Sequence, residues 1–396
     1  MILDSLITLT ILVTGAVLWL PTLRKRPTWR AMITPLASII GSGFLILGPV
    51  LNDAYGLYAP AAMLALCIMA WGFGTAIRYN ILVIGERLDA GEARATEGLA
   101  SALLGFAYIV SVAYYLNLFG AFALSLTPWS TPLNARLATT AIYAVILGFG
   151  WTRGFKSLES MEYTSVALKL AIIAGLLLAL GAYTGKLALA GGLDLNPPVR
   201  TGWQAITLGF GLIVTVQGFE TSRYLGRSYG PEVRIRSMRL AQIIATLIYV
   251  IYILFAAYSF SPGEVQLSET AIVDMMAVVS PILPYFLVAA ALAAQFSAAV
   301  ADTSGSGGLI SELTRGKLPP KRAYAITVLA GLVLTWSADV FQIIAYASRA
   351  FAAYYAVQAG LAAWRASNNR AWVQAVTFAG FAILGAAIVI FGQPVE

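Results

Sequence analysis

The sequence predicts an all-α polytopic membrane protein of about twelve transmembrane helices, and three observations carry that prediction. Of its 396 residues, 59% are hydrophobic and 11% charged, and the mean hydropathy is +0.80, values that no water-facing surface accommodates. Apolar stretches of about 20 residues, the length a helix needs to cross a bilayer, follow one another with short polar joints between them. The basic residues gather in alternate joints, as they do where one face of a membrane protein meets the cytoplasm.

In chain order the apolar runs fall at 2–20, 32–52, 57–80, 98–127, 136–151, 161–184, 203–226, 238–260, 281–303, 322–337, 339–363 and 371–391. The first carries Asp4 rather than a basic start, and Pro21 and four basic residues follow it rather than a small-residue cleavage site, so it reads as a retained helix. Twenty of the 25 basic residues fall on one side of this twelve-span arrangement and three, Arg136, Lys186 and Arg200, on the other. The remaining two, Lys169 and Arg349, sit inside spans. The split places both termini outside the cytoplasm of a cell-membrane protein. It also accounts for the formal charge of +7 without a nucleic-acid partner.

Composition excludes most enzyme chemistry. With no histidine and the single Cys67 in an apolar run, histidine metal sites, Ser/His or Cys/His nucleophilic pairs and disulfides have no residues to form them. The Gly-x-x-x-x-Gly-Lys-Ser/Thr motif is absent, which disfavours an ATP-driven pump, and a lipid or peptide hydrolase has no histidine to activate its nucleophile. No cofactor or metal is expected.

Two spans are interrupted. The run at 32–52 contains Ser38-Ile39-Ile40-Gly41-Ser42-Gly43-Phe44, and the run at 203–226 contains Val214-Thr215-Val216-Gln217-Gly218-Phe219-Glu220. Five positions separate these spans, so they cross in opposite directions. Gly-interrupted helices at matching places of two inverted halves point to the binding site of a secondary transporter. Unwound backbone is tolerated at that depth where it lines a cavity or is buried in protein. The competing account is close helix packing at small residues.

These residues resemble the amino acid-polyamine-organocation (APC) superfamily of secondary transporters, whose members share the LeuT-like fold of two inverted five-helix repeats. The likeness rests on Ile39-Ile40-Gly41-Ser42-Gly43-Phe44 with its Leu47-Gly48-Pro49 tail, on Thr152-Arg153-Gly154-Phe155-Lys156-Ser157 leading to Lys169, and on Gly218-Phe219-Glu220. The family's Glu-x-x-Asn-Pro joint is reduced here to Ser228-Tyr229-Gly230-Pro231-Glu232. The resemblance implies repeats at 32–184 and 203–363, with an extra helix and basic joint at 1–31 and a further C-terminal helix at 371–396. It implies that Gly41, Ser42 and Gly43 offer amides to a substrate carboxylate, and that Thr215 to Gly218, Gln217 among them, offer carbonyls to its amino group; Phe219 is expected to line or lid the pocket. The expected solute is a small amino acid or related amine, moved across the lipid bilayer by alternating access; an inorganic cation or another non-amino-acid solute is the alternative.

Two signals disagree about the coupling ion. Lys169 matches the lysine that stands in for sodium in proton-coupled relatives, and a cation that deep needs a cavity or a partner; a snorkelling lysine or a permanent structural ion pair is the competing account. Thr303 and Ser304 resemble the hydroxyl pair that holds sodium in sodium-coupled relatives. Asp302 is expected to join Lys169 in a proton-responsive pair, or else to mark a helix end. Glu220 adds charge beneath an amine, gates by pairing with Arg223, or is a solvated helix-end residue. Arg349 calls for a buried partner or a watery vestibule, and joins Glu220 and Arg223 as a candidate gate residue.

Overall fold

The computed structural model describes residues 2–41, 43–87, 90–152, 162–261, 263 and 266–395, and no β-strand occurs among them. The helices are α1 (Ile2–Leu18), α2 (Pro21–Arg24), α3 (Pro27–Ile39), α4 (Gly43–Tyr55), α5 (Ala59–Arg87), α6 (Ala90–Leu124), α7 (Pro132–Thr152), α8 (Glu162–Leu189), α9 (Gly202–Gly211), α10 (Pro231–Ser259), α11 (Ala271–Val279), α12 (Leu283–Leu313), α13 (Pro320–Ser337), α14 (Val340–Asn368) and α15 (Trp372–Phe391). Among the described residues the apolar runs are largely helical, with breaks inside 32–52 and 203–226. Seven helical stretches among the described residues are long and apolar enough to cross a membrane by length and composition.

Their outward faces carry what lipid requires. Helix α1 buries Ile7, Ile11 and Leu18 while Leu6, Leu9, Leu12 and Val13 are exposed. Helix α15 exposes Val373, Val376, Ile383 and Ile390. An exposed apolar surface of this extent marks an integral, multi-pass membrane protein.

Helix α6 lies at the centre of the bundle, against α7, α12, α13 and α14, while α10 packs on α3 and α5, and α15 on α14. The first helix is part of this body: α1 lies along α8, where Gly175 leaves the space that Ile11 fills, a Cβ there falling 2.7 Å from Ile11 Cγ1. At its start Asp4 accepts a 2.6 Å hydrogen bond from Ser280, fastening α1 to the joint between α11 and α12.

Helix α11 was not anticipated. Its nine residues span roughly 13 Å, too short to register as a crossing segment, yet Ile272, Val273, Met275 and Met276 are buried against α12, α4 and α8.

Candidate functional site

Both interrupted runs break where glycine and polar residues enter them. Helix α3 ends at Ile39; Ile40, at φ −82° and ψ 57°, has left the helical region, and the chain re-forms a helix at Gly43. Ser42 lies outside the described residues, as does the joint 153–161. The second break is longer. Helix α9 stops at Gly211, a 3-10 turn covers Ile213–Val216, Gln217 is extended, Gly218 adopts φ +116°, and a 3-10 helix runs over Phe219–Arg227.

The two breaks touch. A Cβ on Gly43 would lie 2.6 Å from Thr215 Cα, and one on Gly218 would lie 2.3 Å from Ser38 Cβ and 2.6 Å from Ile39 N. Glycine is required at 218 twice over, for the left-handed backbone and for this approach. The backbone groups that leave the helices find partners from neighbouring elements, as buried groups must. Tyr249 of α10 places its hydroxyl 2.8 Å from the carbonyl oxygens of both Ile39 and Thr215. Ser348 of α14 accepts from Val214 N at 3.1 Å and donates to Gly211 O at 2.6 Å.

Lys169 of α8 is buried and donates to Ala37 O at 2.8 Å, at the carbonyl end of the first half-helix, where a cation is favoured by the helix dipole. It borders a narrow cavity with Gly41, Phe44 and the α12 residues Ala290, Ala291, Ala294 and Gln295. Gln295 is fully buried, and neither polar atom of its amide has a hydrogen-bond partner among the described residues. Sequence reasoning passed over it, although a lone amide in the run Ala293-Ala294-Gln295-Phe296 was the available signal.

The expected pair of Lys169 with Asp302 is not formed. Helices α8 and α12 are neighbours, but Asp302 lies seven residues beyond Gln295, roughly 10 Å along the helix, and accepts from Ser111 of α6 instead. Thr303 donates to Ala299 O within its own helix at 2.6 Å. Asp302, Thr303 and Ser304 are therefore displaced from the stretch of α12 that faces Lys169.

Beneath the second break, Glu220 is fully buried and accepts from Gly218 N and from the Tyr355 hydroxyl, each at 2.9 Å. It does not pair with Arg223. Its carboxylate instead satisfies an amide freed by the break, and Tyr355 stacks between Phe219 and Phe73 with ring centroids 5.1 Å away on either side. Gln217 donates to the Tyr115 hydroxyl at 2.8 Å.

Arg223 pairs with Glu97 of α6, whose other oxygen takes Arg365 of α14 at 2.9 Å. Around these ions Gln358 donates to Glu97 at 2.9 Å and accepts from Arg223 at 3.1 Å, and Asn80 of α5 accepts from Arg365 at 2.7 Å. One buried network thus joins α5, α6, α14 and the 3-10 helix below the second break. Arg349 stands apart from it. Its guanidinium donates to Gly392 O, at the carbonyl end of α15, where orphan acceptors and the helix dipole favour a cation.

Comparison with known proteins agrees with this architecture. A family model described as APC superfamily transporter matches residues 21–392. An uncharacterized protein of Aquifex aeolicus (strain VF5) is 40% identical over 387 residues, covering 95% of this chain and 93% of the relative. A match of that extent, over a helical membrane body with two helix breaks in contact, establishes that the chain belongs to the APC superfamily of transporters.

Proposed function

We propose that the protein is an ion-gradient-driven secondary transporter of a small amino acid or related amine, working by alternating access and coupled to protons through Lys169. In this reading α3 to α8 and α9 to α14 are two inverted five-helix repeats, covering 32–184 and 203–363, with α1 and α15 as additions and both termini outside the cytoplasm. The observation that carries the reading is the contact of the two breaks at Gly43–Thr215 and Gly218–Ser38. Amides at the start of α4 suit a carboxylate, and carbonyls around Thr215 suit an ammonium group. With the breaks in contact, a solute enters only as they part.

The Lys169 contact supplies a means of parting them. A charged ammonium bonded to Ala37 O holds the end of α3 against α8; loss of its proton weakens that bond and releases α3. Gln295, beside it and without a hydrogen-bond partner among the described residues, is placed to take part in the exchange.

The test is counterflow of pooled labelled amino acids and amines in proteoliposomes under separate proton and sodium gradients, for wild type and Lys169→Ala. Proton-driven uptake that becomes uncoupled in the variant is the expected result. Sodium-driven uptake that tolerates the variant overturns proton coupling, and absence of uptake for every pool member overturns the substrate class.

A further inference from the structure

A second cavity, of about 890 Å³, opens where the basic joint after α1 meets the starts of α3 and α8 and the end of the 3-10 helix. Its volume lies within the ~300–1,000 Å³ usual for small-molecule sites. Arg24, Lys25 and Arg30 line it together with Trp19, Tyr163 and Tyr229, and no Asp or Glu does so among the described residues. Nor does any of these three cations meet a carboxylate among the described residues.

One wall is built rather than loose. The Trp19 and Tyr163 rings meet edge to face at 5.7 Å, and the Arg24 guanidinium lies over both, 4.9 and 5.4 Å from their centroids. The Tyr163 hydroxyl donates to Leu18 O and accepts from Trp29 Nε1, which fixes the ring. The cation–π contact with the two rings holds Arg24 in place while its N–H groups stay available for a tetrahedral anion. Tryptophan and tyrosine at the end of a membrane helix mark the depth of the lipid headgroups. Three cations at that depth match the phosphate of an anionic lipid.

We propose that this cavity binds the headgroup phosphate of an anionic phospholipid, held by Arg24, Lys25 and Arg30. The lipid joins the α1–α3 joint to the foot of the second broken helix. The site rests on these contacts alone; the orientation proposed above decides only that the lipid comes from the cytoplasmic leaflet.

The experiment is native mass spectrometry and thermal unfolding of the delipidated full chain, with phosphatidylglycerol or phosphatidylcholine of identical acyl chains added. The comparison is between wild type, Lys25→Ala/Arg30→Ala, and Lys317→Ala/Lys321→Ala as a control with the same charge change elsewhere. Wild type and control are expected to prefer phosphatidylglycerol, and the first double variant to bind it about thirtyfold more weakly, as loss of two interfacial cations requires. Arg24→Gln provides a second reading where the double variant does not fold, with weakened phosphatidylglycerol binding again expected. Equal phosphatidylglycerol binding by wild type and the folded cavity variants overturns the site. Displacement of the lipid by millimolar inorganic phosphate, with the same stabilisation, makes free phosphate the ligand and overturns the lipid assignment.

Discussion

Gly218 lies against Ser38, so close that a methyl group on Gly218 would fall 2.3 Å from Ser38 Cβ. This contact holds one helix break against the other, and it forbids a side chain at 218. Gly218→Ala is expected to lose transport and about 2–4 kcal/mol of stability, from the left-handed backbone and overpacking together. Gly360→Ala, inside α14 where a Cβ meets nothing within 4 Å, is expected to leave transport unchanged and to raise stability by up to about 1 kcal/mol through helix propensity. Melting temperature and uptake measured on the two variants check this. Equal behaviour of the two variants would remove the argument for a required approach.

Tyr249 places its hydroxyl against carbonyls of both breaks. Tyr249→Phe keeps the ring and removes that hydroxyl, leaving buried acceptors unsatisfied at a cost of about 1–3 kcal/mol. A fall in melting temperature is expected, with a larger loss of uptake than of folded protein, because the breaks are no longer fastened to α10. Full uptake by Tyr249→Phe would show that the junction does not depend on this bridge.

The breaks were legible in the sequence because glycine and polar residues are rare events inside an apolar run, and their positions alone located them. Partners were far less legible. Glu97 lies in a charged stretch, Glu92-Ala93-Arg94-Ala95-Thr96-Glu97, that reads as a solvated joint, and only the fold reveals that it meets Arg223 and Arg365. The expected Lys169–Asp302 pair requires α8 and α12 to be neighbours, which they are, but not in the register that would join those two residues. Hydropathy says little about axial position along an alanine-rich helix, so the sequence points Asp302 toward Lys169 although Gln295 occupies that level. Arg349 illustrates a third limit, since its partner is a backbone carbonyl, which no residue pattern encodes.

The Glu97 network separates two kinds of substitution. Glu97→Gln leaves Arg223 and Arg365 without their shared anion in a buried site, and a loss of about 3–5 kcal/mol is expected. Arg223→Met leaves the Glu97–Arg365 pair intact and is expected to cost about 1 kcal/mol while freeing the 3-10 helix from α6. Thermal unfolding orders the two. Cys67 is the sole cysteine and is buried, so Thr34→Cys in a Cys67→Ala background reports opening near α3 by its labelling rate. That rate is expected to rise in Arg223→Met; an unchanged rate would confine the network to stability.

Gln295 offers the sharpest contrast between folding and function. A fully buried amide with no partner among the described residues carries a desolvation cost of about 1–3 kcal/mol. Gln295→Leu removes that cost with little change in volume, so the variant is expected to melt higher than wild type. If the amide serves the proton exchange at Lys169, the same variant transports more slowly and responds less to an imposed proton gradient. Stability and transport then move in opposite directions, a trade found where a site keeps a strained group for function. A more stable variant with unchanged proton-driven uptake would leave Gln295 as a packing residue and confine the coupling chemistry to Lys169 and the end of α3.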